Sequence, residues 1–110
     1  MNQIEFNVQG SSPEPYNVIF RKDGNNLTAL CDCPAGMNRL YCKHRFNILN
    51  GIADGIVSEN AEQVNIVEGW LSGTDVDEAM HEVKIAEKNL DDAKKHLAKL
   101  KKKLARTMHD

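Results

Sequence analysis

The chain has 110 residues, 41% hydrophobic and 27% charged, with a formal net charge of −2 and only six aromatic side chains. Such a length holds one compact domain with an appendage, built on a modest core. No stretch reaches the roughly 18 apolar residues that a membrane span requires, and MNQIEFNVQG has neither a basic leader nor an apolar run, so a soluble intracellular chain is expected, cytoplasmic or, in a eukaryote, nuclear.

The first third reads as strand. Ile4, Phe6 and Val8 alternate with polar residues, and so do Tyr16, Val18 and Phe20, which is the period of two of a half-buried strand. GSSPEP between them has turn composition. After Phe20, RKDGNN supplies a hairpin signal centred on Asp23-Gly24, and LTALC forms a third strand. An antiparallel meander of three strands is predicted.

The third strand runs into CDCPAGMNRLYCKH, which holds all three cysteines of the chain and a histidine two residues after the last. An odd cysteine count in a reducing compartment argues against a disulfide framework. Inert buried thiols, a Cys31/Cys33 redox pair and a metal site remain. Cys31 and Cys33, two residues apart on a strand end, point to one face. Cys42 and His44 stand at a helix start, where the backbone dipole favours thiolate. Cys31, Cys33, Cys42 and His44 together make a complete Cys3His set, and three soft thiolates with one imidazole suit zinc. Four protein ligands fill a tetrahedral shell, so a structural zinc, one per chain, is expected rather than a catalytic one.

From Cys42 the apolar spacing turns helical. Phe46, Leu49, Ile52 and Ala53 predict a helix from Cys42 to about Ala53, closed near Gly55. Asn60 is a candidate cap for a short helix bearing Val64, Val67 and Leu71, ended by Gly73, with Trp70 expected to pack on the meander. Thr74 followed by Asp77 is a capping signal, and no Gly or Pro occurs from there to Met108. One helix of about 33 residues, or about 50 Å, is predicted. It carries a heptad seam: Val76, Val83, Leu90, Leu97 and Leu104 at a, with Ala79, Ala86, Ala93 and Leu100 at d. The expected fold class is therefore α+β, a small antiparallel β-meander with a zinc loop and helix followed by a long C-terminal heptad helix. The expected domains are 1–57 (zinc-binding), 58–74 (connector) and 75–110 (long helix).

CDCPAGMNRLYCKH resembles the SWIM zinc finger, whose pattern is Cys-x-Cys, a variable spacer, then Cys-x-His. FNVQGSSPEPYNVIF, LTALCDCPAG and CKHRFNIL are similar to that family's two strands, zinc loop and helix, over about residues 4 to 53. The resemblance implies zinc held by Cys31, Cys33, Cys42 and His44. It also implies a DNA- or protein-interaction module without naming the partner.

Charge bears on that choice. Arg39, Lys43 and Arg45 surround the ligands. They are candidate nucleic-acid contacts, or counter-charges to a site that carries −1 when three thiolates bind Zn²⁺. Residues 1–74 hold five Lys/Arg against eight Asp/Glu, whereas phosphate-driven binding wants a positive surplus. Along the long helix, residues 75–92 carry seven acids and two lysines, and residues 93–106 carry seven cations and no acid. A non-enzymatic zinc-binding interaction module is expected, docking a protein partner and self-associating through its helix as an antiparallel dimer or higher assembly. DNA binding through Arg39, Lys43, Arg45 and the basic end of the long helix is the second expectation, and a thiol redox protein using Cys31 and Cys33 the third.

Overall fold

The computed structural model describes residues 2–109 and has the expected α+β class. β1 (Asn2–Val8), β2 (Tyr16–Asp23) and β3 (Asn26–Cys31) form an antiparallel sheet in the order β1-β2-β3. Registers such as Phe6↔Val18 and Val18↔Cys31 place Phe6, Val8, Val18, Phe20, Leu27 and Cys31 on the buried face. Phe6 and Phe20 meet edge to face with ring centroids 6.0 Å apart, a geometry that the ring quadrupoles favour.

The hairpin turn lies one residue beyond the expected Asp23-Gly24. Asp23 pairs with Asn26, so Gly24 and Asn25 are the central residues, and Gly24 takes φ +60°. A glycine at the first central position supplies the positive φ that matches the twist of the flanking strands.

The free edge of β1 is covered. The Asn7 and Gly55 carbonyls accept from the amides of Val57 and Gln9 at 2.8 Å each, and Asn60 Nδ2 donates to the Glu5 carbonyl at 2.7 Å. The segment after the second helix thus satisfies backbone groups that an open edge would offer to another chain.

Helices follow: α1 (Pro34–Met37), α2 (Lys43–Leu49), a 3₁₀ turn at Ala61–Gln63, α3 (Val64–Leu71) and α4 (Asp75–Thr107). α2 is shorter than the predicted Cys42–Ala53. Gly51 takes φ +81°, its amide donates to the Ile48 carbonyl, and the Ile52 amide donates back to Asn47. That double bond pattern around a left-handed glycine terminates a helix. Ile52, counted toward the helical stripe, is consequently exposed. Ile48 and Leu49 of α2, with Val64 and Val67 of α3, complete the core; Trp70 is half-buried.

Asn60 does not cap through its side chain, which is bonded to Glu5, Ser58 and Gln63 instead. Thr74 does cap α4: its Oγ1 accepts the Asp77 amide at 3.2 Å. The Asp77 carboxylate reaches back to the Gly73 amide at 3.4 Å, one residue before the cap. The chain divides into two units, Met1–Asp77 and Glu78–Asp110. In the second, every side chain from His81 to His109 is exposed. Among the described residues no helix is long and apolar enough to cross a membrane.

Candidate metal centre

The four donors are brought together by three short elements. Cys31 ends β3, Cys33 caps α1, Cys42 stands at the N-cap position of α2, and His44 lies in the first turn of α2. Period-two alternation turns Cys31 and Cys33 inward, and both are buried, as is Cys42. Among the described residues these four are the one Cys/His/Asp/Glu group that could hold a metal, with donor atoms within 4.8 Å of one another. The other histidines, His81, His96 and His109, are spread along the exposed second unit.

Three of the six separations lie close to those of a tetrahedral shell. Sulfurs about 2.3 Å and a nitrogen about 2.05 Å from one centre, at the tetrahedral angle, lie about 3.8 Å (S···S) and about 3.6 Å (S···N) apart. Cys33 Sγ and Cys42 Sγ are 3.4 Å apart; His44 Nδ1 lies 3.5 Å from Cys42 Sγ and 3.7 Å from Cys31 Sγ. All three thiols are free, and 3.4 Å far exceeds a disulfide bond length of about 2.05 Å.

Local backbone explains why this loop can close. Pro34 starts α1 with φ already suited to a helix. The turn brings the Gly36 amide to 3.3 Å from Cys33 Sγ, where it donates to the sulfur. Glycine is required there, since a Cβ on residue 36 would collide with the Cys31 carbonyl oxygen. Gly10 leaves room on the other side: a Cβ would stand 2.6 Å from the Tyr16 ring and 3.2 Å from His44 Nε2. Tyr16 lies against the imidazole with ring centroids 5.2 Å apart, fixing the ring with Nδ1 toward the sulfurs.

Two clamps hold the loop to the sheet. The Asp32 amide donates to the Asn17 carbonyl, and the Asp32 carboxylate accepts the Asn17 amide at 2.8 Å, extending the β2–β3 ladder between the first two cysteines. Arg45 donates to the Ala29 carbonyl at 3.2 Å and to the Leu40 carbonyl at 2.6 Å, tying α2 to β3 and to the loop. Of the three cations expected at a nucleic-acid surface, Arg45 is thus turned inward and half-buried. Arg39 and Lys43 are exposed and form no ion pair among the described residues. Arg39 has φ +59° at the exit of α1.

The thiols behave unequally. Burial pushes Cys31 up to about 12, helped by the neighbouring thiols of Cys33 and Cys42 against the pull of the Cys33 amide. Burial also raises Cys42, but the amides of Arg45 and His44 and the hydrogen bonds from Cys33 and Cys31 outweigh it, and its pKa falls below 9.0. Those amides approach the Cys42 sulfur at the α2 N-terminus without completing a capping bond. Burial, then the Lys43 charge, lowers His44 from 6.5, which leaves a neutral imidazole with a free lone pair at neutral pH. Several thiolates packed this closely repel one another, and a divalent cation removes that conflict. A Cys31 thiol raised this far is the reverse of the low-pKa thiol that redox exchange needs.

The sequence showed Gly36 as a turn residue but not its close approach to Cys31, and it did not reveal Gly10, Asp32 or the inward role of Arg45. Gly36 has a legible signal, as the only glycine between the two ligand pairs. The Arg45 bonds have none, because its acceptors are backbone carbonyls. Comparisons with protein-family models, with curated proteins and with solved structures find no match.

Proposed function

We propose that the first unit is a structural zinc-binding module of the SWIM type, without catalytic activity, and that the protein acts by docking a protein partner and by self-association through α4. The observation that carries the zinc assignment is the convergence of Cys31, Cys33, Cys42 and His44, donor atoms within 4.8 Å of one another and the three cysteines buried, as the one such group among the described residues. Three sulfurs and one imidazole nitrogen select zinc over magnesium or calcium.

Protein docking is supported by the rim of the site. Met37, Leu40 and Tyr41 are 70%, 61% and 63% exposed in consecutive turns of the zinc loop. Tyr41 is held by stacking on Phe46, with centroids 4.4 Å apart, so its outer face is presented at low entropic cost. Exposed apolar side chains on one loop suit a partner with an apolar surface. Of the three loop cations, nucleic-acid binding keeps Arg39 and Lys43, on a unit with five Lys/Arg against ten Asp/Glu.

The test is metal content and spectrum. One zinc per chain is expected after purification, and Co²⁺ substitution should give the intense visible bands of a tetrahedral thiolate site. Loss of stoichiometric metal in Cys33→Ser completes the case. A wild-type chain that binds neither ion would end it. For the partner class, binding to generic duplex DNA that falls steeply with salt, and falls further in Lys43→Ala, would favour nucleic acid instead.

A further inference from the structure

α4 carries an apolar stripe that nothing in the second unit covers. Leu90, Leu97, Leu100 and Leu104 are 57%, 51%, 47% and 56% exposed, and Val83 is 41% exposed. Val76, the first seam position, is half-buried and lines a cavity of the first unit with Leu27, Arg45 and Phe46, so the free seam runs from Ala79 to Leu104. Resting on the proposal that α4 self-associates, we propose that its occupant is a second copy in one antiparallel register: Ala79 faces Leu104, Val83 faces Leu100, Ala86 faces Leu97, and Leu90 faces Ala93.

Size selects this orientation. In an antiparallel pair, a positions pack against d positions of the partner; in a parallel pair, a meets a and d meets d. A parallel α4 pair would alternate Leu–Leu layers at 90 and 97 with Ala–Ala layers at 86 and 93. Helix separation follows the side chains at the contact, within about 8–10 Å, so those layers ask for different spacings and leave voids at the alanines. In the antiparallel register every alanine meets a leucine, and the layers have nearly equal volume.

Charge selects it independently. With Val83 at a, the flanking positions set Glu82 against Lys103 and Glu87 against Lys94 of the partner, each pair occurring twice by the two-fold symmetry. Asn89 falls opposite His96, and no like charges meet. The parallel pair instead sets Glu82 against Glu87. Slipping the antiparallel pair by one heptad either leaves Leu104 beyond the partner helix, or leaves Ala79 without a partner and sets Val83 against Thr107. Only the proposed register joins the acidic residues 75–92 to the basic residues 93–106 along the whole free stripe.

The test uses the full zinc-loaded chain, with a nitroxide carried on an unnatural amino acid so that the native thiols are untouched. The two-fold axis lies between residues 91 and 92, so labels replacing Asp92 should lie within about 20 Å. Labels replacing Glu78 should be about 40 Å apart, from 27 residues at 1.5 Å each. Short distances at both positions mean a parallel dimer and overturn the proposal; a Glu78 distance changed by about 10 Å means a slipped register and overturns it also. Light scattering that shows a monomer at about 100 µM overturns self-association itself, a separate failure. The double variant Glu82→Lys/Glu87→Lys should weaken the dimer at least tenfold, and adding Lys94→Glu/Lys103→Glu should restore it. Restoration fails if the charges face other partners.

Discussion

Removing the metal should unfold the first unit, and the structure sets the size of the effect. The unit holds 77 residues, and among the described residues its largest fully buried side chains are Phe6, Phe20, Ile48, Leu49, Val18 and Val67. Structural zinc in small modules contributes an apparent ~10–16 kcal/mol at neutral pH, whereas whole domains are stable by ~5–15 kcal/mol. The metal term therefore equals or exceeds the net stability of the unit. For 60–100 residues each ~1 kcal/mol moves the melting temperature by ~4–8 °C, so even a loss of ~3 kcal/mol is a shift of ~12 °C or more. Without metal the three buried sulfurs keep their desolvation and mutual repulsion with no compensating cation. Trp70 fluorescence and near-ultraviolet dichroism should show loss of packing on chelation and in Cys33→Ser, while far-ultraviolet dichroism retains part of the α4 signal. A chelated chain melting within about 3 °C of the zinc-loaded one would refute a structural role.

Gly36→Ala should lower zinc affinity and the melting temperature, because its methyl meets the Cys31 carbonyl; overpacking of this kind costs ~1–3 kcal/mol, and metal titration with thermal melts checks it. Gly51→Ala should cost ~1–2 kcal/mol for a left-handed φ, with crowding of Glu68 added, and no loss of metal stoichiometry. Arg45→Ala should destabilise by ~1.5–3 kcal/mol through its two carbonyl bonds, while Arg39→Ala stays within ~0.5 kcal/mol, both read from melts of the zinc-loaded chain. On acidification stability should fall from about pH 6.5 downward: His44 is held below 6.5 in the fold, so the unfolded chain binds its proton first, and stability rises with pH wherever the unfolded state binds more protons. Thiolate protonation acts in the same direction, so a zinc-release curve flat from pH 7.5 to 5 would contradict the assigned ligands.

The elements legible in the sequence are those set by local pattern. Period-two alternation located β1 and β2, and the absence of Gly and Pro after Thr74 located α4. The four donors were legible because three cysteines and a spaced histidine leave little other use for themselves. What failed was a choice between nearby glycines: both Gly51 and Gly55 take a positive φ, but only Gly51 lies where the Ile52 amide can reach back to Asn47. Apolar spacing carried the predicted helix through Ile52 and Ala53 because such spacing does not register a cap. Asn60 failed differently: its side chain serves β1, fifty-five residues earlier in the chain, a tertiary partner that no local pattern encodes.

The same distinction explains why Arg45 reads as a surface cation in sequence and as an internal tie in the fold. Lys43 and Arg45 stand on either side of His44, but a helix separates neighbours two apart by about 200° around its axis. With His44 turned toward the sulfurs, Lys43 faces out and Arg45 comes round to the Ala29 and Leu40 carbonyls. That placement commits the guanidinium to backbone carbonyls of β3 and the loop. Lys43, exposed beside His44, helps keep the imidazole neutral. Both residues thus act first on the candidate site, Arg45 by tying α2 to β3 and the loop and Lys43 through its charge beside His44. Arg39 is left as the loop cation with no such duty, and it stands beside the exposed Met37, Leu40 and Tyr41. A partner that buries those three side chains should therefore carry a carboxylate for Arg39. Arg39→Glu should weaken that partner's binding while leaving zinc content unchanged, and unchanged binding would move the docking surface away from the loop.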